Sequence, residues 1–135
     1  MHDKKNIIYI ALIIILSLIS YMNVFDNEFV WDDHIFILDN TDIRSFSNIP
    51  FFFKEDADGL YRPLRTLHYT IAYWIFGKNE FGYHLNSVFF HIIISVLVFF
   101  IIKNIIGKNI ALIASLIFAV HPIHTERVAN MTAGF

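Results

Sequence analysis

The stretch NIIYIALIIILSLISYMNVF, Asn6–Phe25, decides the fold class. From Ile7 to Phe25 it carries no Asp, Glu, Lys or Arg, and Ile7–Ile19 is almost entirely Ile, Leu and Ala. Roughly 20 apolar residues rising about 1.5 Å each cross a bilayer core, so residues 6–25 are predicted to form a membrane-spanning helix. Lys4 and Lys5 ahead of it resemble the basic start of a cleaved signal peptide. The apolar run is longer than such a peptide needs, however, and Tyr21–Met22–Asn23 offers no small-residue cleavage site. The run therefore reads as an uncleaved anchor.

The rest of the chain supports a lipid solvent. Apolar residues make up 56% of its 135 residues and charged residues only 16%, against about a quarter charged in soluble domains. Fifteen Phe exceed what a core of this size can bury. The same numbers exclude a disordered chain. With no Cys, disulfide scaffolds and thiol catalysis are excluded, and a net charge of −2 gives no footprint for nucleic acid. A second charge-free run, Phe81–Ile102, predicts a spanning helix over 83–102, and a shorter run from Ile110 predicts a third over 110–122, packed inside a bundle. The expected fold is all-α and integral to the membrane. It has about three transmembrane helices, a loop 103–109, a long loop 26–82, and the start of a further loop over 123–135.

Lysines near the helix ends set the orientation. Lys4 and Lys5 precede the first helix, and Lys103 and Lys108 lie between the second and third. Three crossings put both segments in the cytoplasm. Residues 26–82 then lie outside, where Asp26, Glu28, Asp32, Asp33, Asp39, Asp42, Glu55, Asp56, Asp58 and Glu80 outnumber the basic residues. The expected membrane is the plasma membrane if the chain is prokaryotic and the ER membrane if it is eukaryotic.

That outer segment is far longer than a connection requires. Within it, Leu64–Phe76 ends in a Tyr-Trp-Ile-Phe cluster and predicts a membrane-surface helix over about 63–76. Pro63 suits its first position and Gly77 its end. Tyr61 and Arg62 then sit at the positive end of a helix with Arg65 one turn on, a constellation suited to a phosphate. The competing reading pairs both arginines with Glu55, Asp56, Asp58 or lipid headgroups. Phe29–Val30–Trp31–Asp32–Asp33–His34 places two carboxylates at the membrane face. Because an extended chain alternates its side chains, only one of them faces a given site, as a general base on a hydroxyl or as a ligand to a divalent cation. No other cofactor is implied. His84, Ser87, His91 and Ser95 form one helical stripe, which in lipid lines a site or bonds neighbouring helices. His121, His124 and Glu126 could ligate a metal, but Pro122 breaks any helix that would align them. A turn with polar groups facing the outer site is the simpler reading.

Taken in order, Phe29–Asp33, Tyr61–Arg62–Pro63–Leu64, Gly82–Tyr83–His84–Leu85–Asn86 with His91, and Phe118–Val128 resemble one family. It is the amino-terminal part of the transmembrane and tetratricopeptide-repeat containing O-mannosyltransferases and their prokaryotic relatives, in the GT-C glycosyltransferase superfamily. The resemblance covers about residues 24–130 and implies transfer of a sugar from a polyprenyl-phosphate donor to a hydroxyl, often Ser or Thr of a protein, on the non-cytoplasmic face. It implies that Asp33 or Asp32 lies at the reacting centre. It puts Arg62, in the family's Tyr-Arg-Pro motif with Tyr61, on the donor phosphate and His121, His124 and Glu126 in the second outer loop. Arg65 beside the phosphate and His84 and His91 lining the site are the expectations of the helix-start and stripe readings. Trp31 stands where the family more usually has Tyr. Family members continue through many more helices and often a repeat domain, so the chain is expected to be the opening fragment of a longer enzyme, inactive alone. The alternative is a small non-enzymatic membrane subunit or assembly factor whose outer loop binds a partner.

Overall fold

The computed structural model describes residues 2–54 and 61–132. Among the described residues every element is helical: α1 (His2–Tyr21), α2 (Ile49–Phe52), α3 (Pro63–Phe76), α4 (Glu80–Ile105), α5 (Lys108–Val120) and α6 (Thr125–Ala129). Short 3₁₀ and π turns join them. Two helical segments, Lys5–Asp26 and Glu80–Ile105, are long and apolar enough to cross a membrane, and Lys108–Val120 is a shorter apolar helix. The chain is a membrane protein.

α1, α4 and α5 pack as a three-helix unit. The turn Ile106–Gly107 reverses the chain, with Gly107 at φ 120°, a conformation that disfavours a side chain. Phe99 therefore meets Ala111 while His91 meets Ala119, an antiparallel register. Close approach is allowed by small residues. Ala111, Ser115 and Ala119 repeat at four-residue spacing on α5 and are all buried, as are Ser17 on α1 and Ser95 on α4. These serine hydroxyls donate to carbonyls of their own helices, Ser17 to Ile13, Ser95 to His91 and Ser115 to Ala111. Each of these hydroxyls is thereby bonded within its own helix. Large side chains such as Ile8, Ile15, Leu97, Ile101, Ile113 and Ile117 point outward, the distribution a helix unit in lipid requires.

α4 extends through Lys103 to Ile105 rather than stopping at the end of the charge-free run. Lys103 lies over the rings of Phe99 and Phe100, 6.0 and 5.6 Å from their centroids. A long cationic side chain can snorkel in this way without ending the helix.

The segment between α1 and α4 builds a second, smaller core. Phe29, Ile37, Ile43, Tyr69, Ala72, Tyr83 and Met131 are buried together, drawing residues from the loop, α3, α4 and the chain after α6. α3 starts at Pro63 and ends at Gly77, whose φ of 60° takes the chain out of the helix. Gly82 follows in the first turn of α4 with Phe76 packed directly on it.

Candidate functional site

The Asp32–Asp33 segment is coiled, not extended as the alternation argument assumed. The Asp33 amide donates to the Val30 carbonyl (2.9 Å), while Asp33 Oδ2 accepts the Val30 N–H (3.0 Å). This reciprocal pair closes a turn around Trp31. Trp31 takes φ 47°, the one positive φ at a non-glycine among the described residues, and is 87% exposed. Left-handed backbone at a bulky residue is strained and tends to accompany function. The chain continues as a π turn over His34–Leu38. One aspartate faces in and one faces out, but through helical geometry: Asp33 is 1% exposed and Asp32 is exposed.

Asp33 Oδ1 is buried with no hydrogen-bond partner among the described residues. Only two other buried side-chain atoms there share this state, Arg65 Nε and His84 Nδ1. Arg65 lies on the inner face of α3, its guanidinium 4.0 Å over the Phe36 ring. Tyr69, one turn further on, is buried and donates to the Thr132 carbonyl at 3.3 Å. Burial pushes the Tyr69 hydroxyl well above the ordinary tyrosine range, with Arg65 opposing that rise and Asp33 adding to it. His84 is fully buried on α4, and its Nε2 lies 3.1 Å from the Asn27 carbonyl, tying the helix to the chain that leads into the Asp33 turn. Asp33 lies within electrostatic reach of both Tyr69 and His84. A buried acceptor, a buried donor and a ring nitrogen are thus each left without a hydrogen-bond partner among the described residues. Buried polar groups are seldom left unpaired.

Arg62 and Tyr61 sit at the rim. Arg62 caps α3 and is exposed, and its carbonyl accepts from the amides of Arg65 and Thr66. Tyr61 is exposed and its hydroxyl donates to the Phe53 carbonyl at 3.2 Å. The two arginines therefore diverge, Arg62 toward the surface and Arg65 inward. Glu55, Asp56 and Asp58, their candidate acidic partners, lie outside the described residues.

The remaining candidates form a separate group. His91 is buried on α4, its Nε2 3.0 Å from the Ala119 carbonyl and its ring edge-on to Tyr21 at 4.9 Å. His124 lies 5.5 Å from His91 and 6.3 Å from His121, centroid to centroid. His121 Nδ1 accepts the Ile123 N–H at 3.2 Å, and the Tyr21 hydroxyl donates to the His121 carbonyl at 3.4 Å. Desolvation, then the neighbouring His91 and His121, hold the His124 imidazole below its ordinary pKa. Glu126 is exposed. Among the described residues no three His, Asp or Glu side chains come together as a metal-binding group.

Sequence reasoning did not single out Tyr69, Phe36, the Asn27 carbonyl, or the hydrogen bond between Asn86 Nδ2 and His68 Nε2 (2.8 Å) that joins α3 to α4. Tyr69 was within reach of a helical-face argument, since Arg65, Tyr69 and Ala72 fall on one stripe of α3 and all three are buried. The Asn27 carbonyl carries no sequence signal.

Among the described residues the chain thus combines two apolar helices long enough to cross a membrane with a strained acidic turn and three buried polar atoms that lack a partner. Residues 63–134 match the family described as dolichyl-phosphate-mannose-protein mannosyltransferase, and the chain belongs to that family. It is 34% identical over 136 residues to the human protein O-mannosyl-transferase TMTC3, covering 93% of this chain and 15% of that protein. It is 31% identical over 127 residues to Drosophila melanogaster protein O-mannosyl-transferase Tmtc1, covering 86% and 15%. For the Caenorhabditis elegans protein O-mannosyl-transferase F38B6.6 the identity is 31% over 138 residues, covering 91% and 20%. The chain thus spans 15–20% of the length of these three relatives. No solved structure matches it significantly.

Proposed function

We propose that this chain is the amino-terminal part of a GT-C type membrane glycosyltransferase. It transfers a sugar, mannose by analogy with its relatives, from a polyprenyl-phosphate donor to a protein Ser or Thr hydroxyl on the non-cytoplasmic face. α1, α4 and α5 are three crossings, with Lys4, Lys5, Lys103 and Lys108 in the cytoplasm and the Asp33 turn outside. The observation that carries the reading is the buried, unpartnered Asp33 Oδ1. The Val30 amide occupies Oδ2 and leaves the other oxygen to accept a proton.

In the reaction the acceptor O–H gives its proton to Asp33 Oδ1 as its oxygen forms the bond to the anomeric carbon. The bond from that carbon to the phosphate oxygen breaks, and the electron pair leaves with the phosphate. Arg62, exposed at the positive end of α3, stabilises the departing charge. Single displacement inverts the anomeric configuration. In this reading Arg65 and His84, whose Nε and Nδ1 are buried without a partner among the described residues, bond sugar or acceptor hydroxyls.

The test is radiolabelled sugar transfer from a polyprenyl-phosphate donor by the full reading frame that contains this chain. Asp33→Asn should lower kcat by about 10²–10⁴, the usual contribution of a positioned base, while Asp32→Asn retains most activity. Arg62→Gln should weaken transfer without altering the acceptor KM. Full activity in Asp33→Asn would overturn the assignment.

A further inference from the structure

The segment Asn27–Val30 links the helical run that ends at Asp26 to the Asp33 turn. Asn27 is extended, at φ −79° and ψ 144°, and its amide donates to the Val24 carbonyl at 3.1 Å. Glu28 and Phe29 make no backbone hydrogen bond among the described residues. The next anchored group is the Val30 amide, which holds Asp33 Oδ2 at 3.0 Å. Where that carboxylate lies therefore depends on what fixes residues 27–29. A strained residue persists only where its surroundings over-determine it. For Trp31, at φ 47°, part of that restraint must come from this side of the turn.

Two neighbours near the start of α4 supply it. Tyr83 packs edge-on against Phe29, ring centroids 5.6 Å apart, and its own hydroxyl donates to the Gly77 carbonyl at 3.2 Å. His84 Nε2 lies 3.1 Å from the Asn27 carbonyl. A carbonyl only accepts, so Nε2 carries the hydrogen, and in the neutral ring Nδ1 keeps a bare lone pair. One turn along α4, Val88 is buried in one cluster with Val24. Apolar packing of Val24 and Phe29 is non-directional, whereas a hydrogen bond fixes the direction of the carbonyl it meets. His84 is fully buried, so this contact is enclosed within the chain itself.

We infer that His84 is a positioning residue for Asp33. Its Nε2–H aligns the Asn27 carbonyl, that peptide sets the path of the chain into Val30, and the Val30 amide carries the carboxylate with it. His84 thereby acts on the reaction through Asp33, apart from any bond that Nδ1 makes to a hydroxyl. The effect on turnover rests on Asp33 being the base; the effect on the turn does not.

The experiment uses the full reading frame in nanodiscs, with hydrogen exchange read from peptides over residues 27–33 and sugar transfer measured on the same samples. In His84→Asn the amide nitrogen takes the place of Nδ1 and falls short of Asn27, whereas the longer side chain of His84→Gln reaches it. His84→Asn should quicken exchange over residues 27–33 by about fivefold, the loss of one neutral hydrogen bond, without quickening it in α5. His84→Gln should restore the slow exchange. His84→Asn should also lower kcat by about ten- to a hundredfold, the cost of a base displaced by up to about 1 Å, and His84→Gln should recover part of that loss. With Asp33→Asn already in place, the same substitution should cost about fivefold less, since groups that act through one another are not additive. Exchange over 27–33 that His84→Asn leaves unchanged, or that quickens equally throughout the chain, overturns the inference. A kcat loss of the same size in both backgrounds overturns it too. Where His84→Asn does not fold, His84→Gln decides alone: exchange at the wild-type rate supports the clamp, and exchange quickened about fivefold overturns it. Full activity in Asp33→Asn by itself is a separate result, which removes the base and leaves the exchange comparison to decide the clamp.

Discussion

Replacing Asp33 by Asn should impair transfer and leave the protein at least as stable. Asp33 is 1% exposed and holds one hydrogen bond, from the Val30 amide at 3.0 Å, with its second oxygen unpaired. The effective cost of burying a carboxylate is several kcal/mol. Asn keeps an acceptor for Val30, so the lost part is the difference between a charge-assisted and a neutral hydrogen bond, roughly 1–2 kcal/mol. Attraction to Arg65 is lost as well. It forms no contact ion pair with Asp33, so this term is smaller than the about 4 kcal/mol of a close pair at an effective dielectric of 20. The new amide N–H can also donate where the carboxylate could not. The balance is a change between zero and a gain of order 1 kcal/mol, the trade expected where an unsatisfied group is kept for activity. Thermal unfolding in detergent, alongside sugar transfer, measures both quantities. A stability loss of about 2 kcal/mol or more with transfer retained would refute the reasoning and make Asp33 a structural turn cap.

The other expectations concern the supporting frame. Gly82→Ala places a methyl group into the Phe76 ring and should destabilise the α3–α4 elbow by about 1–3 kcal/mol, seen as a lower unfolding midpoint. Trp31→Gly removes the strain of φ 47°. It should raise stability by about 1 kcal/mol unless the added freedom of the unfolded chain cancels it, and calorimetry with Trp31→Ala as control separates the two. Asn86→Leu breaks the 2.8 Å bond to His68, so amide exchange in α3 should quicken by about fivefold, the equivalent of roughly 1 kcal/mol. The His124 pKa lies below its ordinary value in the folded protein, so the unfolded chain binds the proton more readily. Its contribution is present above about pH 6.5 and lost as pH falls through the folded value. His124→Gln should therefore flatten the acid limb of the midpoint-versus-pH curve.

The apolar helices were legible because lipid imposes a simple rule, a long run free of charge. Its limit appears at Lys103, where counting charges ends the run at Ile102 but α4 continues to Ile105. A single lysine at a helix end costs little when its stem can lie along Phe99 and Phe100. Pro63 and Gly77 bracket α3 for reasons any chain obeys, a fixed φ at the start and a left-handed residue at the end. Which residues form a polar stripe was legible too. What each stripe residue binds was not, since His84 reaches a carbonyl 57 positions away and His91 one 28 positions away.

The acidic turn shows why the rest was hidden. Alternation along an extended chain separates Asp32 from Asp33 only if the chain is extended, and nothing local in Val-Trp-Asp-Asp says whether it is. The decision belongs to tertiary structure. His84 fixes Asn27, Phe29 and Ile37 enter the core beside Tyr69 and Tyr83, and the intervening residues must coil to join those anchors. Trp31 absorbs the misfit at a positive φ, and Asp33 closes the turn with one carboxylate oxygen while the other stays unpaired. A residue whose backbone bond is local and whose second oxygen is orphaned by distant packing cannot be recognised from spacing. The pattern becomes visible once burial is known, since Asp33 is 1% exposed and its second oxygen lacks a partner among the described residues. The same contrast isolates Arg65 from Arg62: one caps α3 and the other lies in its first turn, and the packing of Phe36 over one guanidinium makes it an interior group while the other stays at the rim.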